Sequence, residues 1–306
     1  MQAALETYSN VHRGSGHNSL TSTHLYEQAR EIVLDDVGLD KARHTVVFCS
    51  PRRAELLQAQ LGRRGCRTVS SRDIGLPLGL RALAVARNAL PAGAPFQPGG
   101  GTARLVFPNR VIWARGTDKF EAGTPAIVNV IVFARALQLI RQFGKDAFLE
   151  ADAEQRTAAD ILYHDELEKF SGRELLDALR PTLIGQRVPV PTLAGTRPFI
   201  NLDNGASTPT FTPIWNAVCQ AWRLPEQVQR EIVREVKSIC AGVLGAPPAD
   251  YDVIFTSNTT EAINLAAESL GGESQDGIRP VVVNTCLLYT SPSPRDRTRS
   301  RMPSSA

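Results

Sequence analysis

Apolar positions along this chain fall into a pattern that is written twice. Val228, Ile232, Val236, Ile239 and Val243 return at steps of three or four residues, the period of one helix face. Gly245, with Pro247 and Pro248 behind it, stops that helix, since glycine accepts a left-handed cap and proline cannot continue the ladder. Val253, Ile254 and Phe255 then form a short apolar run suited to a buried strand. The same order occurs earlier. Tyr26 to Ser50 aligns with Val233 to Ser257 without a gap at an offset of 207 (255 − 48), so that Ile32 faces Ile239, Gly38 faces Gly245, Val46 faces Val253 and Ser50 faces Ser257. That spacing is too long for a solenoid period and reads as a duplicated domain. Between the copies, Ala151 to Pro198 reads as connector. A helix is predicted over Asp160 to Leu179 and an extended Pro- and Gly-bearing linker over Pro181 to Pro198.

Length and composition narrow the class. The 306 residues allow about two average domains. With 42% apolar and 21% charged residues, a packed core is expected rather than disorder. A net charge of +3 with scattered basic residues argues against a nucleic-acid surface. No apolar run approaches membrane-spanning length and no signal segment follows Met1, so no membrane partner is expected. The five cysteines (Cys49, Cys66, Cys219, Cys240, Cys286) show no metal-ligand spacing and read as free thiols of a cytoplasmic protein. None of the five histidines (His12, His17, His24, His44, His164) has a cysteine or acidic neighbour at ligand spacing, so no metal site is expected. Trp215 and Trp222 beside the amphipathic helix read as core.

From Cys286 the pattern stops. Residues 286–306 have neither hydrophobic period nor cap logic, and they resemble the translation of a transposase-based sequencing adapter. A Ser/Pro/Arg-rich disordered tail is the alternative. On the first reading the native frame breaks off near Thr285, within the second copy, leaving an unpaired apolar edge after Val281 to Val283 and a chain that folds poorly.

The candidate chemistry lies where strand turns into helix. Asn258 is placed to cap the helix, and Glu261, three residues on, to return the bond as a capping box. The helix start then offers free N–H groups, a positive dipole end and the hydroxyls of Thr259 and Thr260, a setting for phosphate. Many such turns carry caps and no ligand. In the first copy the matching residues are Ser50, Pro51, Arg52 and Arg53. Pro51 suits a helix start, while Arg52 and Arg53 read as a solvated charge pair before a phosphate contact.

These runs resemble the class V aminotransferase and cysteine desulfurase family, whose cofactor is pyridoxal phosphate. The second copy opens Phe199-Ile-Asn-Leu-Asp-Asn-Gly-Ala-Ser-Thr-Pro and continues Phe255-Thr-Ser-Asn-Thr-Thr-Glu-Ala-Ile-Asn, similar to the family's opening and its phosphate turn. The resemblance implies cofactor contacts at Asn258, Thr259 and Thr260, and a substrate side at Asn204, Gly205 and Ala206, where Gly205 replaces the usual alanine. Asn10-Val-His-Arg-Gly is similar to a loop near the active site and adds His12 and Arg13 to the substrate side. The run Pro95 to Gly101 fits the segment preceding the signature. Lys119-Phe-Glu-Ala-Gly-Thr-Pro resembles that signature, in which Thr124 would reach the phosphate of a neighbouring subunit in a homodimer.

The family's Schiff-base lysine has no counterpart. Aligning Ser70-Ser-Arg-Asp-Ile-Gly-Leu-Pro-Leu-Gly on Pro77 and Gly79 puts Arg72 at the family's histidine and Asp73 at the lysine. A carboxylate has no amine to condense with an aldehyde. Lys41, Lys119, Lys145, Lys169 and Lys237 are the remaining lysines, and none stands in this context. Only Leu56 to Val69 fills the place of a long middle stretch.

The expectation is therefore an α/β chain with the three-layer α/β/α architecture of the pyridoxal-phosphate transferases and a mostly parallel sheet, incomplete and present as two partial copies. Residues 1–150 are a degenerate first copy without its middle, 151–198 a linker, and 199–285 the N-terminal part of a second copy. The implied parent is a pyridoxal-phosphate-dependent transferase or lyase acting on a small amino acid, with this chain inactive. The alternatives are a non-catalytic pseudoenzyme serving assembly or dimerisation, and a gene-model error between Leu61 and Ser70.

Overall fold

The computed structural model describes residues 2–12, 14–62, 66–107, 109–144, 156–163, 167, 169–205 and 207–272. Arg13, Lys145, His164, Ala206, the apolar edge at Val281 to Val283 and the stretch 286–306, named above, lie outside these. The chain divides into two compact units, Met1–Glu261 and Ala262–Ala306; the first carries the site.

Its centre is a small sheet between helices. After a short α1 (Gln2–Glu6) comes α2 (His17–Asp36), then β1 (His44–Cys49), α3 (Pro51–Leu61), β2 (Cys66–Ser70), β3 (Arg81–Ala86) and, after a hairpin of β4 (Ala103–Phe107) and β5 (Arg110–Trp113), α4 (Ile127–Phe143). The strand order is β1-β3-β2. Because β3 is antiparallel to both neighbours, β1 and β2 run in the same direction on either side of it. Alternation along the strands sends Val46, Phe48, Ala82 and Ala84 to one face, where they pack with Tyr26, Val33, Val130, Phe133 and Leu137 of α2 and α4. Val47, Cys49, Leu83 and Val85 point the other way, onto Ala54 and Leu57 of α3 and Phe120. Three layers, α/β/α, follow from that alternation. Every strand pairing among the described residues is antiparallel, unlike the mostly parallel sheet expected. Two strands can be parallel here only by skipping across the reversed β3.

The connector is more structured than its composition suggests. It holds α5 (Ala158–Leu162), α6 (Gly172–Leu179) and a hairpin of β6 (Pro189–Thr192) and β7 (Gly195–Pro198). The single helix expected over Asp160 to Leu179 is replaced by α5 and α6, since α5 is capped at Tyr163 and α6 starts afresh after Ser171. In the prolines' stretch, two residues turn β6 back on β7, which gives an extended linker a pairing partner.

Then come α7 (Thr212–Ala221), α8 (Glu226–Leu244) and α9 (Thr259–Gly272). The repeat is visible at the helix ends. Leu39 N–H donates to Leu34 O and Ala246 N–H to Ala241 O, 2.9 Å in each case, across the left-handed glycines Gly38 and Gly245. It fails one step later. Residues 253–255, expected as a buried strand, form no strand pairing among the described residues, and Phe255 remains 53% exposed. Their equivalents in β1 have β3 beside them; a strand without a ladder partner leaves its backbone to solvent. The apolar face of α8 is covered only over its first half, where Val228, Ile232 and Val236 pack with Ile161 and Leu224, while Val243 is 83% exposed. Trp215 and Trp222, expected as core, meet edge to face at 5.6 Å and are half-buried.

Candidate functional site

Three segments distant in sequence meet beside the end of β1: the turn before α3, the signature loop 119–125, and the turn before α9. In the last, Asn258 is the N-cap. Its Oδ1 accepts from Glu261 N–H at 3.0 Å, as the capping-box pattern predicts. The return bond is displaced by one residue. The Glu261 carboxylate accepts from Ser257 N–H at 2.9 Å and from the Ser257 hydroxyl instead of from Asn258. Its other oxygen accepts from Ser50 Oγ at 2.6 Å, so the repeat-related serines of the two copies converge on one carboxylate. Burial opposes ionisation of Glu261, but the hydrogen bonds from Ser257 and Ser50 outweigh it and hold the acid below the ordinary carboxylate value.

Asn258 also fixes the turn to the signature loop. Its Nδ2 donates to the Ala122 and Thr124 carbonyls, both at 3.1 Å. The approach is so close that a Cβ on Gly123 would lie 2.6 Å from the Asn258 amide, and one on Gly99 would lie 2.2 Å from the Thr260 methyl. Glycine at both positions is what lets the turn seat.

Behind the loop, Glu121 is buried and saturated. It accepts from Arg30 Nη1 at 2.8 Å and Nη2 at 2.7 Å, from Phe48 N–H at 2.7 Å and from Tyr26 OH at 3.3 Å. Arg30 and Glu121 side chains are each 4% exposed. Arg30 reaches further, to the Val46 carbonyl and to Glu27, and lies over the rings of Tyr26 and Phe48. His12, with φ at 59°, closes this cluster through a 3.1 Å contact with Glu27. That hydrogen bond, with Asp118 adding to it against the effect of burial, raises the His12 pKa. Glu27, although burial works against it, is brought down to about 2 by the His12 and Arg30 contacts.

Arg53, expected in solution, is instead 3% exposed and donates to Ala122 O at 2.9 Å and Phe120 O at 3.2 Å. The loop carbonyls of 120–122 point at it, and bonding them outweighs the loss of water. Arg52 stays exposed. Pro51 opens α3 as expected, with Ser50 accepting from Arg53 N–H.

The remaining sequence-derived residues are placed apart. Asp73 is exposed in a 3₁₀ turn, Ser71–Ile74, where its carboxylate accepts from Ser70 N–H at 2.8 Å. Asn204 and Gly205 lie in an exposed loop held by Asn201 and Ser207. So the structure brings together Asn258, Thr260 and Thr124, and leaves His12 in the neighbouring buried cluster. Sequence reasoning missed Arg30, Glu121, Ser50 and the bracing by Arg53. One signal was available: Arg30 sits among Tyr26, Ala29, Val33 and Leu34 on the apolar stripe of its helix, where a charge requires a buried partner.

Whether a phosphate-bearing ring fits here is decided by space and by donors. The cavity lined by Ser50, Arg53, Glu121, Ser257 and Asn258 has a volume of about 30 Å³, room for about one water. Glu261 takes the Ser257 N–H and hydroxyl. Among the described residues no lysine lines the cavity: Lys41 pairs with Asp35, Lys237 with Asp252, Lys119 donates to the Pro91 and Gly93 carbonyls, and Lys169 lies over the Phe170 ring. The residues present do not fit pyridoxal phosphate at this turn.

A three-layer α/β chain with a capped helix turn seated on a Phe-Glu-Ala-Gly-Thr-Pro loop defines the class. The chain belongs to the aminotransferase class-V family, whose sequence model matches residues 65–184 and 201–285. Aminotransferase class V and cysteine desulfurase families are pyridoxal-phosphate-dependent. Among solved structures it is similar to the apo cysteine desulfurase of Thermococcus onnurineus NA1, with 17% identity and a TM-score of 0.36 over 47% of this chain and 64% of that one. It is also similar to the cysteine desulfurase CsdA of Escherichia coli, with 14% identity and a TM-score of 0.35 over 48% of this chain and 65% of that one. The chain thus spans less than two thirds of the length of either. A comparison with curated proteins returns no match. Among the described residues, no helix is long and apolar enough to cross a membrane.

Proposed function

We propose that these 306 residues keep a partial class V frame without its imine chemistry. The observation that carries this is Asp73: at the position that the alignment assigns to the lysine stands a carboxylate already bonded to Ser70 N–H. Schiff-base chemistry needs a primary amine beside the bound aldehyde. The 30 Å³ cavity at the turn supports the same reading. The enzyme that the matched segments represent is read as a homodimeric pyridoxal-phosphate-dependent transferase or lyase acting on a small amino acid. In it, Asn258, Thr259 and Thr260 hold the phosphate, with Thr124 reaching in from a partner surface and Asn204, Gly205, Ala206, His12 and Arg13 on the substrate side.

Within this chain the contact that the resemblance puts between subunits is made internally. Asn258 of the second family segment bonds to the Ala122 and Thr124 carbonyls of the first. The first segment accordingly acts as a built-in partner surface for the second.

The test is direct. Purified chain is mixed with pyridoxal phosphate, reduced with borohydride and digested for mass spectrometry. No imine absorbance and no stoichiometric pyridoxyl-lysine are expected. A single lysine labelled to completion, with its absorbance band, overturns the reading.

A further inference from the structure

A second and larger cavity, about 350 Å³, opens between the loop that follows β3 and the end of the β4–β5 hairpin. That is within the size range of small-molecule sites. It shares no lining residue with the turn described above. Its polar lining is cationic: Arg87, Arg115 and Lys119 contribute to it, and among the described residues no acidic side chain does. Trp113, Leu90 and Phe120 give it apolar and aromatic wall.

Lys119 is the unusual member. It is 6% exposed, yet among the described residues its ammonium has no carboxylate partner and donates only to the neutral Pro91 and Gly93 carbonyls. Burial without a counter-charge pulls its pKa down from the ordinary lysine value. The adjacent Asp118 does not supply the missing charge: the cations it interacts with are His12 and Arg30. Arg87 and Arg115 are exposed, so the positive field extends from the buried ammonium to solvent. Three like charges around one concavity repel one another until an anion enters.

We propose that this cavity binds a small organic anion, a carboxylate or phosphate monoester with a flat apolar body. The anionic group pairs with Lys119 and Arg115, and the body rests against Trp113 and Phe120.

Calorimetric titration of the intact chain with benzoate, phenyl phosphate and neutral benzamide tests it. Saturable binding of both anions is expected, with benzamide at least about tenfold weaker, the factor that one charge-assisted hydrogen bond supplies. Arg115→Ala, at an exposed position that leaves packing intact, and Lys119→Met should each weaken benzoate by about tenfold. Absence of saturable anion binding, equal affinity for benzamide, or an Arg115→Ala variant that binds benzoate like the parent would overturn the proposal.

Discussion

Removing the Glu121 carboxylate alone should come close to unfolding the first unit. In Glu121→Ala the Arg30 guanidinium keeps its 4% exposure and loses both contacts to Glu121, at 2.7 and 2.8 Å, retaining the half-exposed Glu27 and the Val46 carbonyl, while Phe48 N–H loses its acceptor. Deleting one partner of a buried pair costs about 3–5 kcal/mol, chiefly because a buried charge is left short of compensation, here with only the half-exposed Glu27 beside it. Domain stabilities run at about 5–15 kcal/mol, so at the lower end of that range most of the margin is gone. Replacing both partners, as in Arg30→Met with Glu121→Leu, takes away the charge as well as its partner and should recover at least half of that loss. What stays lost is the acceptor for Phe48 N–H, about 1–3 kcal/mol. Urea denaturation followed by far-ultraviolet circular dichroism measures all four corners of the cycle. A Glu121→Ala variant within about 1 kcal/mol of the parent, or a double variant no better than the worse single one, would show that water reaches Arg30 and that the cluster is not the dry anchor its burial indicates.

The His12–Glu27 contact makes stability depend on pH with a definite sign. His12 titrates above its ordinary 6.5, so its contribution is complete below 6.5 and is lost as pH rises through the raised value. Glu27, lowered from 4.5 to about 2, contributes fully above 4.5 and fades as pH falls through about 2. The pair is therefore complete between 4.5 and 6.5. Urea midpoints should decline on the alkaline side in the parent and decline less in His12→Asn, a residue that tolerates the left-handed backbone at φ 59°; identical slopes would remove His12 from the account. Gly123→Ala places a Cβ 2.6 Å from the Asn258 amide at φ +81° and should destabilise the unit by about 1–3 kcal/mol. An unchanged urea midpoint would mean that the turn before α9 is not seated on the loop.

What could be read in the sequence was local, and what could not was a matter of partners. Both copies of the repeat place a helix, a left-handed glycine and the same capping hydrogen bond, because those are set within about six residues. Among the described residues the strand that should follow forms in only one copy, since Val253 to Phe255 has the apolar run of Val46 to Phe48 but no described strand to pair with. Parallel order was inferred for the sheet, yet the strand that intervenes in space comes last in sequence. Within the site, the Asn258 cap was legible and the Glu261 return bond was not, because its partners include Ser50 from the other copy. Arg53 looked like solvated charge for the same reason: nothing near it in sequence announces that the carbonyls of 120–122 converge on it.

The same distinction explains why Asp73, which the proposed reading sets at the family's lysine, sits in its turn without disturbing its surroundings. A 3₁₀ turn that starts at Ser71 leaves the Ser70 N–H without a helical partner, and an acidic residue three places along is the side chain that best satisfies it. Ser70 Oγ accepts from Arg72 N–H in return, and Gly75 closes the turn in the left-handed region. Every local preference of the segment is thus met by aspartate. A lysine there would have no acceptor to offer the Ser70 N–H, and would need a neighbouring anion or a covalent partner to justify its place. On the proposed reading the exchange would trade a reactive amine for a cap, and the loop would remain well formed for a structural reason.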